Sequence, residues 1–579
     1  MKKAPLYETW EMNDFRELLD GIEKRYAVNC AYVWHDGYTD DGIITKSYTE
    51  LAEDVKNLAA YLCAMGLEGK TVAVTGKNSY LWAVSYLAIG CGCGMIVPLD
   101  RDLRSDELSG LCTDAGCAAI FYTSDMEEKI AAMENPRLLR LPLSCAETYF
   151  SRGAELRAEG SMSYENHTVD PDAPGVLLYT SGTTGVAKGV LLSQHNICAD
   201  IVNVCRRVKI TGDDRVLSHL PLHHTYECTT SLAMLYSGGS IAFNDNLRRL
   251  PRDLSLFRPT MLVTVPAVLE FMAKFVRRSY ADARGGKLLL GVQRAASGVT
   301  SKTLQLLSDK TGQKHKRRIF STIDHFFGGK LRAILVGAAP LSPDTFRLFE
   351  GFGYAVYCGY GLTETAPISL MHDDFYRCAD DTGFPVCGVE ARIDSPDENG
   401  IGELCLRGPN VMLGYHNNPE ATSEVLRDGW LYTGDLAQMT KSGAYRITGR
   451  KKSMIVSQSG KKIFPEELEA YLSRSPIVAE CMVYAEEQDG NLRICAAVYP
   501  DKTETEKVLG CTEGDPVYAE KLRALLLELT REINNSLPPY KHIRRLIIRK
   551  TEFVKTTTKK IKRSAPENTE HPAGETVIS

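Results

Sequence analysis

Directly after the apolar run 175–178, the chain reads Tyr179-Thr180-Ser181-Gly182-Thr183-Thr184-Gly185-Val186-Ala187-Lys188-Gly189. Its three glycines allow tight backbone turns and a close approach to an anion. Hydroxyl groups and successive backbone N–H groups can surround phosphate oxygens, and Lys188 adds a positive charge. The stretch is not a Walker A loop, because Lys188 is followed by Gly189 rather than by Ser or Thr. It predicts a phosphate-binding loop rather than a polar linker.

Hydrophobic periodicity on both sides of this loop predicts an α/β fold. The apolar positions of 48–67 follow helical spacing, whereas 71–74 and 118–122 are short apolar runs typical of buried strands. Two more buried strands are predicted at 261–265 and 333–336. Strands separated by helices of this length indicate parallel sheets in stacked α/β layers.

The pattern changes twice in the last part of the chain. After Gly383, short strands and turns predict a β-rich subdomain, and beyond 448–452 the pattern indicates a smaller α+β body. Pro465 stands at a predicted helix start and is followed by two acidic residues, as first helical turns prefer. The last residues, 564–579, predict a disordered polar tail.

Composition and charge exclude several classes of protein. A net charge of −5 argues against general nucleic-acid binding, which usually needs a basic surface. The 17 cysteines show no disulfide framework, and no secretory signal is evident, so we expect a cytoplasmic protein with reduced thiols. The uncharged stretch 81–99 approaches the length of a membrane span, but its glycines and Pro98 favour a buried helix followed by a strand.

The loop at 179–189 resembles the phosphate loop of the adenylate-forming superfamily, which includes acyl-CoA synthetases, peptide-synthetase adenylation domains and firefly luciferases. Further family segments follow in order across nearly the whole chain, at 220–227, 337–341, 359–364, 431–435, 449–452 and 555–563. Within the superfamily, the chain is most similar to bacterial long-chain fatty-acid CoA ligases. The resemblance implies a large domain of residues 1–449, a hinge at 450–452 and a small mobile domain of residues 453–563.

The resemblance also implies a set of residues that contact ATP. The glycine-rich loop would hold the phosphates, Tyr360 would stack on adenine, and Thr363 would bond the α-phosphate. Asp435 and Arg450 would hold the ribose, since one carboxylate can accept from both ribose hydroxyls. The implied set is Thr180, Ser181, Gly182, Thr184, Gly185, Gly337, Ala338, Ala339, Pro340, Tyr360, Gly361, Thr363, Asp435, Arg450 and Gly460.

Catalysis is assigned by the same resemblance. Glu364 would help to hold Mg²⁺, a hard cation that prefers oxygen ligands and substrate phosphates. Lys452 falls at the family's hinge position, and His224 falls in the segment that lines the acyl pocket. The implied catalytic set is Lys560, Thr183, Lys188, Glu364 and His224.

The segment 554–563 departs from the family pattern Pro-Lys-Thr-x-x-Gly-Lys-Ile-x-Arg at two positions. Val554 replaces the proline, and Lys559 replaces the glycine, so two lysines stand side by side. The register assigns the catalytic role to Lys560 and leaves Lys559 as the alternative. The surrounding 541–563 is strongly basic, which leaves nucleic acid, a membrane surface or the phosphates of coenzyme A as attracted groups.

Other interpretations remain open at this stage. His219 and His223 are four residues apart, as in some zinc sites, but no carboxylate or cysteine completes a tetrahedral set. An enzyme that activates amino acids would need a buried acid near His224, and Glu227 is the one candidate. The basic run 314–318 predicts a solvated face, with membrane contact as an alternative.

The expected reaction is ATP-dependent activation of a carboxylic acid, of the fatty-acid type, to an acyl-adenylate, followed by transfer to coenzyme A. The expected cofactors are ATP, Mg²⁺ and coenzyme A. An acyl-carrier-protein ligase and an aryl- or amino-acid adenylating enzyme are the alternatives. A non-catalytic nucleotide-binding protein is disfavoured, because Lys188, Glu364, Asp435, Arg450 and Lys560 are all retained.

Overall fold

The computed structural model describes residues 6–35, 42–180, 187–244, 246–282, 321–456, 461–488, 491–555, 561–563, 565–569 and 576–578. These residues form two compact units. The first contains the described residues up to 180 and those within 187–391 and 406–431. The second contains those within 392–405 and 432–578. Asp435, Arg450 and Lys452 therefore all belong to the second unit, and the predicted hinge at 450–452 stays a prediction.

The α-helices of the described residues include those predicted at 48–67, within 81–99 and from Pro465. They are α1 (Phe15–Tyr26), α2 (Tyr48–Ala64), α3 (Tyr80–Gly92), α4 (Ser105–Asp114), α5 (Glu127–Ala131), α6 (Ala146–Ala158), α7 (Ser163–Asn166), α8 (Gln194–Cys205), α9 (Thr225–Tyr236), α10 (Leu250–Phe257), α11 (Pro266–Asp282), α12 (Ser321–Phe326), α13 (Pro343–Phe352), α14 (Pro419–Val425), α15 (Pro465–Leu472), α16 (Lys502–Leu509), α17 (Tyr518–Asn535) and α18 (Pro566–Thr569).

The strands alternate with these helices in the first unit and then follow one another closely. They are β1 (Cys30–His35), β2 (Ile43–Ser47), β3 (Thr71–Thr75), β4 (Ile96–Leu99), β5 (Cys117–Tyr122), β6 (Leu139–Pro142), β7 (Pro174–Thr180), β8 (Lys188–Ser193), β9 (Arg215–Ser218), β10 (Ser240–Phe243), β11 (Met261–Thr264), β12 (Ala333–Val336), β13 (Ala355–Gly361), β14 (Ile368–Met371), β15 (Phe384–Pro385), β16 (Glu390–Asp394), β17 (Ile401–Arg407), β18 (Gly414–Tyr415), β19 (Leu426–Arg427), β20 (Trp430–Met439), β21 (Tyr445–Arg450), β22 (Ile455–Val456), β23 (Lys462–Ile463), β24 (Val478–Gln488), β25 (Asn491–Pro500), β26 (Arg545–Ile548) and β27 (Thr576–Ile578).

Two mixed sheets form the core of the first unit. Within the described chain, nine strands form one sheet in the order β15-β14-β13-β12-β11-β9-β10-β1-β2, and seven form another in the order β18-β8-β7-β4-β3-β5-β6. In the first sheet, β13, β12, β11, β9, β10 and β1 run parallel. The predicted parallel α/β layers are thereby confirmed. Their carboxyl ends meet at one edge, where open α/β sheets bind ligands.

The uncharged stretch 81–99 is a buried helix and strand, as predicted. Ser79 caps α3 by accepting a hydrogen bond from the N–H of Trp82 at 3.2 Å. Twelve of the thirteen residues of α3 are buried, which explains why the helix is apolar on all sides. β4 follows as the neighbour of β3 and β7. Among the described residues, no helix is long and apolar enough to span a membrane.

The second unit contains a four-stranded sheet, among the described residues, in the order β24-β25-β26-β27. Its apolar core includes Leu468 of α15 and Leu526 of α17. Pro465 is the first residue of α15, as the sequence predicts.

The prediction of a disordered tail at 564–579 is wrong for its described part. β27 pairs antiparallel with β26, because the sheet edge offers unpaired backbone groups to a returning strand. Asn568 is fully buried and bonds the backbone of Val554 and Lys562.

Candidate active site

Three of the predicted site segments in the first unit follow parallel strands at their carboxyl ends. Residues 219–224 follow β9, residues 337–341 follow β12, and residues 362–367 follow β13. Because these strands run parallel in one sheet, the three segments lie along the same edge. The structure therefore brings the sequence-predicted His224, Gly337–Pro340 and Tyr360–Glu364 to one side of the sheet.

Thr180 and Lys188 face each other across a β-hairpin at the base of the glycine-rich loop. β7 and β8 pair antiparallel, and Thr180 stands opposite Lys188 in the register. The Thr180 hydroxyl donates to the Lys188 carbonyl oxygen at 3.3 Å. The predicted Ser181, Gly182, Thr183, Thr184 and Gly185 lie outside the described residues. The hairpin thus closes the loop that carries them.

Tyr415 connects Lys188 with Glu364, although no local pattern points to it in the sequence. The Lys188 ammonium lies 4.9 Å from the centre of the Tyr415 ring, within cation–π range. The Tyr415 hydroxyl donates to Glu364 Oε1 at 2.9 Å. Burial, together with the Glu364 charge, raises the pKa of Tyr415, so the phenol keeps its proton and remains a donor. The three side chains form one polar row.

The predicted adenine segment 337–341 owes its shape to Gly337 and Ala338. A Cβ at Gly337 would lie 2.9 Å from Cζ of Tyr226, so only glycine lets the backbone approach this ring. Ala338 has a φ of 71°, in the left-handed region that residues with a Cβ rarely adopt. Such backbone strain is concentrated at ligand sites. Tyr226 is therefore a second residue of this region that the sequence patterns miss.

Gly361 allows β13 and the chain after it to approach closely. A Cβ at this position would overlap the carbonyl oxygen of Pro367. Gly359, two residues earlier on the same strand, has its nearest obstacle at 3.6 Å, an ordinary contact. The segment that carries Thr363 and Glu364 is thus pinned at Gly361.

Replacement of Gly361 by alanine is expected to lower the free energy of unfolding by about 1–3 kcal/mol, because overpacking displaces the 362–367 segment. Gly359→Ala is the matched control and should change it by less than about 1 kcal/mol, since a new methyl there meets no clash. Urea denaturation of both variants measures the difference. Equal losses in the two variants would contradict the assigned role of Gly361.

The histidines at the end of β9 are held by protein groups. His219 Nδ1 lies 3.1 Å from the Leu217 carbonyl oxygen, and His219 Nε2 lies 3.2 Å from Thr264 Oγ1. Within the described part of the chain, no three His, Cys, Asp or Glu side chains are placed to hold a metal ion. His219 therefore acts as a structural bridge between β9 and β11, which leaves the zinc alternative without support.

His223 and His224 are neighbours in this turn, and both are half-buried. Their ring centres are 4.2 Å apart, and His224 is the N-cap residue of α9. Burial, and then the nearby charge of Arg101, lowers the pKa of His223 to about 3, so this imidazole is neutral at physiological pH. The half-buried His224 stands beside a neutral partner at the position predicted for the acyl pocket.

Glu227 is buried beneath this turn. Burial raises the pKa of its carboxyl group to about 8. Hydrogen bonds from the Ser218 hydroxyl and from the backbone N–H groups of His219 and Leu220 lower this pKa, but by less than burial raises it. The group is therefore largely neutral at pH 7. Its bonding partners belong to the end of β9 and the following turn, so Glu227 supports the turn that presents His224.

In the second unit, the predicted ribose residues Asp435 and Arg450 are neighbours. They stand opposite each other on β20 and β21, and Arg450 Nε lies 3.0 Å from Asp435 Oδ1. The N–H of Asp435 donates to Thr433 Oγ1 at 3.1 Å. Lys452, two residues beyond β21, is exposed. The sequence-predicted pair is thus brought together by a single strand pairing.

The segment that carries Lys559 and Lys560 is anchored at both ends, although residues 556–560 lie outside the described chain. Lys555 and Ile561 form an antiparallel bridge. After the bridge, Arg563 donates to both carboxylate oxygens of Glu469, at 2.5 and 2.6 Å. Both contacts come from the single nitrogen Nη2, and hydrogen bonds between charged groups are stronger than neutral ones. The described residues on either side of 556–560 are therefore held in place.

Val554 makes a contact that the family's proline could not. Its N–H donates to Asn568 Oδ1 at 2.8 Å, and its carbonyl oxygen accepts from Asn568 Nδ2 at 2.8 Å. Proline has no N–H to donate. The departure at Val554 and the folded segment around Asn568 therefore belong to one local arrangement.

Gly460 also lies outside the described residues, but the strands on either side of its loop are in place. β22 and β23 pair antiparallel, with Ile455 opposite Ile463 and Val456 opposite Lys462. The loop 457–461 therefore connects a short hairpin.

Comparison with known families agrees with this geometry. A family model described as AMP-binding enzyme matches residues 23–416, more than half of the chain. The chain belongs to the AMP-binding enzyme family. This AMP-binding enzyme is 28% identical over 563 residues to a long-chain-fatty-acid–CoA ligase of Mycobacterium bovis, with 90% of each chain covered. It is 29% identical over 448 residues to a feruloyl-CoA synthase of an Amycolatopsis species, with 76% of this chain and 80% of that protein covered.

The fold of the AMP-binding enzyme also matches a solved structure. The o-succinylbenzoate CoA synthetase of Bacillus subtilis, in complex with its acyl-adenylate intermediate, matches with a TM-score of 0.70 at 20% identity. The match covers 95% of this chain and 98% of that one, and at this identity it concerns the fold alone. The predicted superfamily and fold class are confirmed. So is the predicted enzyme class, an acid–thiol ligase.

The residues of the AMP-binding enzyme fit the groups that this class requires. Glu364 offers carboxylate oxygens, the ligand type that Mg²⁺ prefers, and Tyr415 orients one of them. The individual roles of the predicted site residues remain proposals.

Proposed function

We propose that this AMP-binding enzyme activates a medium- or long-chain fatty acid as acyl-AMP and transfers the acyl group to coenzyme A. The products are acyl-CoA, AMP and pyrophosphate. The likeness to a long-chain-fatty-acid–CoA ligase favours a fatty acid, and the state of Glu227 argues against an amino acid. This carboxyl group is buried, bonded to the end of β9 and the following turn, and largely neutral at pH 7, so it is unsuited to bind the ammonium group of an amino acid.

In the first step, a carboxylate oxygen of the acid attacks the α-phosphorus of ATP. The bond from that phosphorus to the bridging oxygen breaks, and pyrophosphate leaves. Such phosphoryl chemistry depends mainly on positioning and charge stabilisation. Lys188 and the glycine-rich loop bind the β- and γ-phosphates, Asp435 and Arg450 bind the ribose, and Lys560 neutralises charge where the two reactants meet. Mg²⁺, when bound at Glu364, supplies further charge neutralisation.

In the second step, the sulfur of the thiol attacks the acyl carbonyl carbon. The bond from this carbon to the AMP oxygen breaks, AMP leaves, and the thiol proton passes to solvent. By resemblance to the family, the small domain turns about Lys452 between the two steps. This rotation removes Lys560 from the site and brings the 457–461 loop to it.

Two alternative substrates follow from specific observations. The likeness to a feruloyl-CoA synthase supports an aryl acid as an alternative substrate. An acyl carrier protein would use the same chemistry with a different thiol acceptor.

The 17 cysteines, none of them in a disulfide, support the proposed cytoplasmic location, where thiols remain reduced.

The test is to measure AMP release from ATP in the presence of different acids. The acids range from acetate to palmitate and include aryl and amino acids, and each is assayed with and without coenzyme A. We expect AMP release that depends on both a fatty acid and coenzyme A. A clear preference for aryl acids would overturn the fatty-acid assignment. Adenylate formation without turnover on coenzyme A would overturn the acceptor and favour a carrier protein.

A further inference from the structure

A buried polar pair lies directly beneath the segment that carries Glu364. Asp200 belongs to α8, and Asn410 lies between β17 and β18, far apart in the sequence. Both residues have no exposed surface. Asp200 Oδ2 accepts from the N–H of Ile368 at 3.1 Å, immediately after the Glu364 segment. The pair therefore supports that segment from the inside of the first unit.

The donors of Asn410 are committed to the same segment. Its Nδ2 donates to the carbonyl oxygens of Thr365 at 2.8 Å and Ile368 at 3.1 Å. These two carbonyl groups identify the nitrogen of the amide, so the other atom, Oδ1, must be an acceptor. Asn410 Oδ1 and Asp200 Oδ1 are both buried, and neither has a hydrogen-bond partner.

The side chains of Asp200 and Asn410 lie within hydrogen-bonding reach of each other, and both hydrogens of Asn410 Nδ2 are already donated to Thr365 and Ile368. Without a proton between them, the two oxygens would leave two buried acceptors unsatisfied, at a cost of about 1–3 kcal/mol each. One proton on Asp200 Oδ1 satisfies both of them, because a protonated carboxyl group has one O–H donor.

We propose that Asp200 keeps its proton in the folded protein and donates it to Asn410 Oδ1. The neutral pair then holds the backbone of Thr365 and Ile368 and so positions Glu364. The positioning role rests on the proposed function, whereas the proton on Asp200 does not.

The surroundings of Asp200 agree with a neutral group. Burial raises the pKa of Asp200 well above its ordinary value, and the hydrogen bond from the N–H of Ile368 opposes this rise. The titratable neighbour on the same helix is the Cys205 thiol. Burial raises its pKa to about 12, so Cys205 adds no charge at neutral pH.

Asp200→Asn tests the proton directly. The amide of the new asparagine can replace the protonated acid. Its N–H donates to Asn410 Oδ1 and its oxygen accepts from the N–H of Ile368, but the amide does not titrate. A carboxyl group with a raised pKa in the folded state binds a proton that the unfolded chain has lost. The stability of the wild type relative to Asp200→Asn should therefore fall as the pH rises above about 4. The unfolding equilibrium constant of the wild type should increase by up to tenfold per pH unit relative to that of the variant.

Urea denaturation of both proteins across pH 4–8 measures this difference. Relative stability that is constant with pH, or that rises with pH, would overturn the proton assignment. The expected result is a falling curve together with the loss of a carboxylic-acid carbonyl band in the infrared difference spectrum between wild type and Asp200→Asn.

The positioning role has a separate test in Asp200→Leu, which keeps the volume but removes both hydrogen bonds. We expect Asp200→Leu to need about tenfold more Mg²⁺ for half-maximal adenylate formation, as when outer-shell partners of metal ligands are lost. Asp200→Asn, which keeps the bridge, should need nearly the wild-type concentration. An unchanged Mg²⁺ requirement in Asp200→Leu would overturn the positioning role alone. Absence of adenylate formation in the wild type would instead contradict the proposed function.

Discussion

Replacement of Lys560 by alanine is expected to slow adenylate formation by about 10²–10³-fold, the usual cost of removing one preorganised charge-stabilising donor. Thioester formation from supplied acyl-adenylate should change little, because the family mechanism removes this lysine from the site before the second step. Pyrophosphate exchange with ATP measures the first half-reaction. Release of AMP from added acyl-AMP and coenzyme A measures the second.

The register of the family pattern assigns the effect to one lysine. It places Lys560 at the catalytic position and Lys559 at the position of the family's glycine, so Lys559 should not substitute for Lys560. Lys559→Ala is the matched control and should retain most adenylation activity.

A reversed result, with Lys559→Ala inactive and Lys560→Ala active, would shift the register by one residue. Equal loss of both half-reactions in Lys560→Ala would contradict the assignment of a role in the first step only. In both cases circular dichroism of the variants shows whether the fold is preserved.

Replacement of Glu364 by glutamine is expected to lower kcat/KM for adenylate formation by about 100-fold, since metal-held charge stabilisation is worth several kcal/mol. The amide keeps the shape of the side chain but loses the negative charge that attracts Mg²⁺. The Mg²⁺ concentration needed for half-maximal activity should therefore rise, and it is measured by titration at saturating ATP.

Tyr415→Phe is the matched variant for this prediction. It keeps the ring beside Lys188 and removes only the hydroxyl that donates to Glu364 Oε1. We expect a smaller loss of about tenfold, as for partners that orient a metal ligand. A loss in Tyr415→Phe larger than that in Glu364→Gln would contradict the proposal that Tyr415 acts through Glu364.

Much of the fold could be predicted because it depends on local pattern. The helix at 48–64 begins where Ser47 and Glu50 form a capping box, and its apolar spacing identifies the buried face. The helix at 80–92 was predictable as a buried element because glycines and a proline interrupt the uncharged stretch. The folded residues after 564 were missed, because strand pairing with β26 depends on a sheet edge that polar composition does not reveal.

The candidate site divides in the same way. Recognition of Lys188, Glu364, Asp435 and Arg450 needed only their order and surrounding residues, whereas Tyr226 and Tyr415 carry no signal of their own. Each becomes visible through a contact between segments distant in the chain. Tyr226 packs against Gly337, and Tyr415 bonds Glu364.

By itself, the sequence determined the family, the order of the site segments and the chemical type of each predicted residue, since backbone propensity and side-chain chemistry are local properties. Only the tertiary structure decided that Glu227 is a buried neutral support and that Asp200 faces Asn410. The physical reason is that burial and hydrogen-bond satisfaction depend on neighbours brought together by folding. Those neighbours set both the protonation of a carboxyl group and the position of the segment it holds.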